Sequence, residues 1–222
     1  MYKNKGLIFD MDGTMVDNMM VHHRAWQKKL AELGLMLTLE EVIAQCHGKN
    51  DEILQKLFGE KYTFEERDKI SYDKEAVYRE VFLKDLKLID GLQDLLEEAQ
   101  QHGIPMGIGT AARAENVDFV LDNLNIRHYF KAIITSEDVD KGKPDPSVFY
   151  KVADILNLEY SQCLVFEDSP TGAKTALNAG MKAIILTTTH QAPEFDSFSS
   201  VIKCVSDYQK INLLEELNHL SS

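Results

Sequence analysis

The feature that most restricts the fold is a series of short, uninterrupted apolar runs separated by helix-like segments. The runs are GLIFD, MGIGT, AIIT, CLVFE and AIIL, at residues 6–10, 106–110, 132–135, 163–167 and 183–186. Contiguous apolar runs of this length are typical of strands that helices cover on both faces. The alternation of such runs with helices therefore predicts an α/β fold with a doubly wound parallel sheet, a Rossmann-like core.

Two of the connecting helices have readable ends. Asp145-Pro146 predicts the start of a helix that runs to Leu156, because an aspartate N-cap followed by proline at the first helical position is a common helix start. Pro170 begins a further helix, and Gly180 ends it. These helices lie between apolar runs, as a parallel sheet requires of its crossovers.

One region, residues 17–86, breaks this alternation. It contains no convincing strand pattern, and its helix starts match the capping box, in which a hydroxyl and a carboxylate satisfy reciprocal backbone donors. The capping-box pairs are Thr38 with Glu41 and Thr63 with Glu66. A helical block of about 70 residues is too long for one crossover. We therefore predict a helical cap domain at 17–86, inserted into a catalytic core formed by 1–16 and 87–222.

The composition excludes several classes of protein. The net charge is -12 and the isoelectric point is about 5.0, which argues against a nucleic-acid-binding face. Cys46, Cys163 and Cys204 are widely spaced, which favours free thiols in a reducing compartment. The chain shows no membrane-length apolar stretch, and a strand-like run follows almost at once on Met1. We expect a cytoplasmic protein, a monomer or small homo-oligomer, with no membrane or nucleic-acid partner.

Polar residues follow the predicted strands at the points where each strand ends. Because ligands bind beyond the carboxyl ends of the strands in an open α/β sheet, we expect these side chains to share one site. They are Asp10 and Asp12 after the first strand, Thr110 after the second, Lys143 in the loop after the third, and Glu167 and Asp168 after the fourth. Two carboxylates two residues apart repel one another unless a cation lies between them. The set predicts a site for a hard cation and a phosphate.

The same residues carry a family resemblance that extends over the whole chain. DMDGT at 10–14, Thr110, Lys143 in GKPDP and EDS at 167–169 resemble the motifs of the haloacid dehalogenase-like phosphohydrolase superfamily. The position of the helical insert and the segment HHRAW at 22–26 are similar to the branch that holds β-phosphoglucomutases and small sugar-phosphate phosphatases. The resemblance implies a Rossmann-like core with a helical cap, a Mg2+ cofactor and a small phosphorylated metabolite as substrate.

The resemblance also implies roles for the residues that handle the phosphoryl group. Asp10 would attack phosphorus and form an aspartyl-phosphate. Asp12 would protonate the leaving oxygen and then act as a base toward the incoming water or hydroxyl. Thr110 and Lys143 would hold the phosphoryl oxygens. Dehalogenases of this superfamily lack the second aspartate, so its presence here favours phosphate-ester chemistry.

The metal site follows from the resemblance in the same way. Mg2+ would be held by Asp10, by the backbone carbonyl of Asp12 and by Asp168. Glu167 would support the metal either as a direct ligand or from the layer of residues behind the ligands. The cation would neutralise charge between the nucleophile and the phosphate.

The acceptor of the phosphoryl group separates a phosphatase from a mutase. In β-phosphoglucomutases a Gly-x-x-Arg segment of the cap supplies a cation for the distal phosphate, whereas here Asp51 stands three residues after Gly48. Lys49 and Lys74 are candidate replacements, although a lysine on a helical cap more commonly lies on a solvated face. His22 matches a hinge histidine of the mutases. We therefore expect a hydrolase, with a β-phosphoglucomutase-type phosphomutase as the alternative.

A third hypothesis is a binding or regulatory module without catalysis. It would predict the loss of at least one of the three aspartates at positions 10, 12 and 168, and all three are present. The hypothesis is therefore the weakest of the three.

Overall fold

The structure is a computed structural model, and it describes residues 2, 4–46, 48–218 and 220. The chain divides into two compact units, Met1–Asp17 with Lys87–Ser222 and Asn18–Leu86. This division differs by one residue from the predicted boundary, because Asp17 belongs to the first unit. The assignment of the second unit as a cap remains a prediction.

The first unit is built on a parallel sheet. The strands are β1 (Gly6–Phe9), β2 (Met106–Gly109), β3 (Phe130–Ile134), β4 (Cys163–Glu167), β5 (Lys182–Leu186) and β6 (Val201–Val205). The order in the sheet is β3-β2-β1-β4-β5-β6, and every pair is parallel. The order reverses between β1 and β4, as in a doubly wound fold. The predicted fold class is therefore confirmed, and β6 is a strand that the sequence analysis missed.

Helices follow the strands of the first unit and also form the second unit. They are α1 (Met19–Glu32), α2 (Leu39–Gln45), α3 (Asn50–Phe58), α4 (Phe64–Phe82), α5 (Leu92–Gln101), α6 (Ala114–Asn123), α7 (Ser147–Leu156), α8 (Pro170–Ala179) and α9 (Leu213–Asn218). Across the residues that the structure describes, no helix is both long enough and apolar enough to cross a membrane.

The sheet is the centre of the apolar core of the first unit. Every residue of β1, β2 and β4 is buried, as expected for strands with both faces covered. Helix α7 packs closely on β2: a Cβ atom on Gly107 would lie 2.4 Å from Val152 Cγ1, so glycine is required there. The loop between β3 and α7 carries Lys143.

The ends of α7 and α8 test the predicted helix starts. Helix α8 begins at Pro170 and ends before Gly180, which has a φ of 71°, as the sequence indicates. The predicted start of α7 is wrong by one residue, because α7 begins at Ser147 and Pro146 is its N-cap. The Asp145 carboxylate still accepts a hydrogen bond from the Ser147 backbone N–H at 3.0 Å. It therefore satisfies a backbone donor of the first helical turn, although Asp145 precedes the N-cap instead of being the N-cap.

The second unit has a core of its own. Its helices bury an apolar cluster that includes Trp26, Leu30, Val42, Ile53 and Leu54. Both predicted capping boxes are present, at the starts of α2 and α4. Between 18 and 86, leaving residue 47 aside, the structure contains helices and turns but no strand, in agreement with the sequence pattern.

Candidate active site

The site begins where β1 and β4 end side by side. Phe9 is paired with Phe166, and their rings stack with centroids 4.8 Å apart. The backbone N–H of Asp10 continues the ladder by donating to the Phe166 carbonyl oxygen at 3.0 Å. The side chains that follow, Asp10 on one strand and Glu167 on the other, therefore emerge at the same edge of the sheet.

Lys143 joins these two carboxylates. Its Nζ lies 2.7 Å from Asp10 Oδ1 and 2.5 Å from Glu167 Oε1. The Lys143 side chain is buried, and its Nζ lies 4.8 Å from the centroid of the Phe149 ring. Burial disfavours the charged form of Lys143, but the two carboxylates outweigh that effect and raise its pKa. The lysine is therefore a buried cation that is paired on two sides.

The site carries more negative than positive charge. Burial, partly offset by Lys143, raises the pKa of Asp10 to about 7. Burial and the neighbouring carboxylates of Glu167 and Asp10 raise the pKa of Asp168 well above its usual range. Ligand oxygens of Asp10, Glu167 and Asp168 all lie within 4.8 Å of one another. Three buried carboxylates around one lysine form a hard-oxygen donor set that fits Mg2+.

The carboxylate of Glu167 is held on all sides. Its Oε2 accepts hydrogen bonds from the backbone N–H groups of Asp168 and Ser169, at 3.0 and 3.2 Å, and from the Ser169 hydroxyl at 3.2 Å. Its Oε1 is the atom that contacts Lys143. A Cβ atom on Gly172, in the first turn of α8, would lie 1.8 Å from Glu167 Cδ. Glu167 therefore ties the lysine to the start of α8.

Asp12 and Thr110 lie beyond the ends of β1 and β2. Asp12 is half-buried and stands in a tight turn in which the Gly13 backbone N–H donates to the Val16 carbonyl oxygen at 2.8 Å. Gly13 has a φ of 78°, a conformation that favours glycine. Thr110 is buried, and its hydroxyl accepts a hydrogen bond from the Ala112 backbone N–H at 3.1 Å. The phosphate-binding role of Thr110 stays a prediction.

Three residues that sequence reasoning missed contact this site. Thr188 Oγ1 donates to the Gly13 carbonyl oxygen at 2.5 Å, and Thr189 Oγ1 donates to Asp168 Oδ2 at 2.5 Å. Tyr208 OH donates to the Thr14 carbonyl oxygen at 2.9 Å. The threonines follow β5, so the strand-end rule that selected the other residues could have found them. Tyr208 follows the missed strand β6 and carried no such signal.

In the second unit, the candidate residues His22 and Lys74 lie in contact. Lys74 is 2% exposed, and its Nζ lies 2.9 Å from His22 Nδ1 and 2.7 Å from Glu75 Oε1. The ammonium group also lies 5.1 Å from the centroid of the Trp26 ring. The expectation of a solvated face is therefore wrong for Lys74, because one face of α4 is buried against α1. Lys49 is half-buried at the residue before α3.

Glu75 is the negatively charged residue in contact with Lys74 and His22. Its Oε1 also accepts a hydrogen bond from Asn50 Nδ2 at 2.7 Å. Burial alone would raise the pKa of Glu75, but the charges of Lys74 and His22 and the hydrogen bonds from Asn50 and Lys74 together outweigh it and lower the pKa to about 2. Asp51, which stands where the mutase segment has arginine, contacts Arg67 Nε through Oδ1 at 2.6 Å.

The fold and the site define a class of enzyme. A family model described as haloacid dehalogenase-like hydrolase matches residues 7–186. The chain therefore belongs to the haloacid dehalogenase-like hydrolases, as its motifs indicate.

The individual relatives include a sugar-phosphate phosphatase and a phosphomutase. The chain is 31% identical over 180 residues to fructose-1-phosphate phosphatase YqaB of Escherichia coli, a match that covers 81% of the chain and 94% of the relative. It is 28% identical over 188 residues to β-phosphoglucomutase of Bacillus subtilis, with 81% and 82% covered. A family IA hydrolase structure from Entamoeba histolytica superposes with a TM-score of 0.88 at 26% identity, covering 96% of the chain and 98% of that structure. The predicted family, with sugar phosphatases and a mutase among its relatives, is confirmed.

Proposed function

We propose that the chain hydrolyses a small phosphate monoester, a sugar phosphate, through an aspartyl-phosphate on Asp10 with Mg2+ as cofactor. The observation that carries the proposal is the buried Lys143, held between Asp10 and Glu167 beside Asp168. Such a cluster concentrates a nucleophile, a phosphate-binding cation and metal-binding oxygens at the edge of the sheet where ligands bind.

Asp10 is the proposed nucleophile. One of its oxygens contacts Lys143, which fixes the orientation of the carboxylate. Attack by a carboxylate oxygen on phosphorus forms the new P–O bond as the bond to the leaving alkoxide breaks. Water then attacks the aspartyl-phosphate at phosphorus, which releases inorganic phosphate and restores the carboxylate.

Asp12 is the proposed acid and base. It lies two residues beyond Asp10, on the turn that Gly13 allows, and it is half-buried where Asp10 is buried. A protonated Asp12 would donate to the leaving oxygen, and the resulting carboxylate would accept the proton of the attacking water. The same group thus serves both halves of the reaction.

The donor set supports Mg2+ as the cofactor. Asp10, the Asp12 backbone carbonyl and Asp168 are the proposed ligands. Both Glu167 oxygens already accept hydrogen bonds from the protein, which favours the indirect role of the two that the resemblance allows. When bound, Mg2+ supplies positive charge that lets a carboxylate approach an anionic phosphate. Lys143 and Thr110 are the proposed contacts of the phosphoryl oxygens.

The phosphomutase remains the second candidate. It is favoured by the relative named β-phosphoglucomutase and by the contact between His22 and Lys74, two residues that resemble mutase cap residues. It is disfavoured because Asp51 takes the place of the cap arginine. We propose His22, Lys49 and Lys74 as the candidate substrate-contacting residues of the cap for either reaction. The presence of all three site aspartates gives no support to a binding module without catalysis.

A product assay separates these functions. The purified protein with Mg2+ is offered a panel of phosphate monoesters that includes fructose 1-phosphate, and separately β-glucose 1-phosphate with a trace of glucose 1,6-bisphosphate. We expect release of inorganic phosphate, which Asp10→Asn abolishes while the circular dichroism spectrum stays unchanged. Accumulation of glucose 6-phosphate without free phosphate would establish the mutase instead.

A further inference from the structure

The segment TTTH, residues 187–190, directly follows β5 and has no role in the mechanism proposed above. Its threonine hydroxyls contact three different parts of the first unit. Thr187 Oγ1 donates to the Val205 carbonyl oxygen at 3.2 Å, at the end of β6. Thr188 Oγ1 donates to Gly13, in the turn after the nucleophile. Thr189 Oγ1 donates to Asp168.

Of these three contacts, the one between Thr189 and Asp168 is the one that involves a proposed metal ligand. The Oγ1 to Oδ2 distance of 2.5 Å lies at the short end of the range for a hydroxyl that donates to a carboxylate. The same hydroxyl lies 3.3 Å from the Asp168 carbonyl oxygen and 2.9 Å from His190 Nδ1. Asp168 is buried, so each hydrogen bond to its carboxylate counts for more than it would in water.

A hydroxyl has a single proton, and this decides the direction of each bond. If the Thr189 proton lies on the bond to Asp168, then His190 Nδ1 must carry a proton of its own and donate it to Thr189 Oγ1. The order of donation is then His190 to Thr189 to Asp168. In this arrangement Asp168 Oδ2 is engaged, and Oδ1 is the oxygen that is open to a cation.

We propose that Thr189 is a positioning residue that orients Asp168 as a metal ligand, and that His190 in turn orients Thr189. The proposal rests on the proposed function, because it takes Asp168 to be a ligand of Mg2+. Ligating carboxylates are commonly held by such hydrogen bonds, and loss of the partner typically weakens metal binding by about 10-fold to 100-fold.

The test is a titration of the metal-free protein with Mg2+ by isothermal titration calorimetry. Thr189→Val removes the hydroxyl and keeps the shape, Thr189→Ser keeps the hydroxyl, and Thr187→Val makes the same exchange two residues away, at a hydroxyl that faces β6. We expect Thr189→Val to weaken Mg2+ binding by about 10-fold or more, while the other two variants bind like the wild type. If the valine variant does not fold, Thr189→Ala gives the same comparison without the added methyl group.

The outcomes separate this proposal from the function on which it rests. Wild-type affinity in Thr189→Val, together with lost binding in Asp168→Asn, would overturn the positioning role and leave the metal site standing. Absence of Mg2+ binding in the wild type would overturn both. For His190, nitrogen-15 NMR of the metal-free protein should show the proton on Nδ1. A proton on Nε2 alone would overturn the proposed order of donation.

Discussion

Gly172→Ala is a one-atom perturbation of the candidate site. Gly172 lies in the first turn of α8, where its backbone N–H donates to the Ser169 hydroxyl at 3.0 Å. An added Cβ atom would lie 1.8 Å from Glu167 Cδ and 2.0 Å from both carboxylate oxygens. In an exposed helix interior the same exchange would stabilise the protein by about 1 kcal/mol. At this position we expect the exchange to destabilise the protein instead.

The expected losses of stability and of activity depend on how tightly Glu167 is held. Ordinary van der Waals contact begins near 3.4 Å, so the carboxylate would have to move by about 1.4 Å or more. An unrestrained glutamate could move that far at little cost, but this one accepts hydrogen bonds from Lys143 and from the Asp168 and Ser169 backbone. Overpacking of this kind typically costs about 1–3 kcal/mol. Because Lys143 would move with Glu167, we also expect kcat/KM to fall by about 100-fold, the typical effect of a 1 Å misplacement.

The assay compares kcat/KM for a phosphate monoester that the wild type hydrolyses with the melting temperature from calorimetry. Thr171→Ala is the matched control, because its side chain is exposed on the preceding residue of the same helix turn. We expect the control to keep wild-type activity and stability. A Gly172→Ala variant with wild-type kcat/KM and melting temperature would refute the idea that Glu167 is immobilised and that it positions Lys143.

Three further predictions address single charges. Asp12→Ala should lower turnover of alkyl phosphates by about 100-fold to 10,000-fold because the proton donor is lost; equal loss on aryl phosphates with good leaving groups would contradict that role. Lys143→Met leaves two buried carboxylates without their cation, so urea unfolding without added metal should show a loss of about 3–5 kcal/mol, and an unchanged midpoint would contradict the burial argument. The pKa of Glu75 is lowered from 4.5 to about 2. Its ionised form therefore contributes about 3 kcal/mol to the free energy of unfolding above pH 4.5, and this contribution is lost as the pH falls toward 2. Glu75→Gln should therefore flatten the dependence of the unfolding free energy on pH in this range. If the variant and the wild type lose stability in parallel as the pH falls, Glu75 does not have the lowered pKa.

The sheet was largely predictable because five of its strands contain contiguous apolar runs, and three of them, β1, β2 and β4, are buried at every residue. Their contiguous runs distinguish them from the surrounding helices, and β4 matches its predicted bounds at both ends. The missed strand β6 lies at the edge of the sheet, and all of its residues are half-buried. Its short run is interrupted by Lys203, so it lacks the uninterrupted apolar pattern that marked the others.

The site was predictable to the extent that it depends on strand ends. Asp10, Glu167 and Asp168 converge because β1 and β4 are neighbours, and the strand order follows from a doubly wound fold. The burial of Lys74 could not be predicted, because it depends on which face of α4 packs against α1. The strand-end rule could have placed Thr189 near the site because it follows β5, but its contact with Asp168 also depends on the path of the chain after that strand.

In the proposed mechanism the phosphoryl group passes through Asp10 before it reaches water. The most direct test is the stereochemical course of hydrolysis, measured with a phosphorothioate ester whose phosphorus is chiral through oxygen-isotope labels and which is hydrolysed in water that carries the third oxygen isotope, so that the thiophosphate product is itself chiral. Two successive in-line displacements at phosphorus, first by the Asp10 carboxylate and then by water, predict net retention of configuration. Net inversion would mean a single displacement by water and would contradict the account.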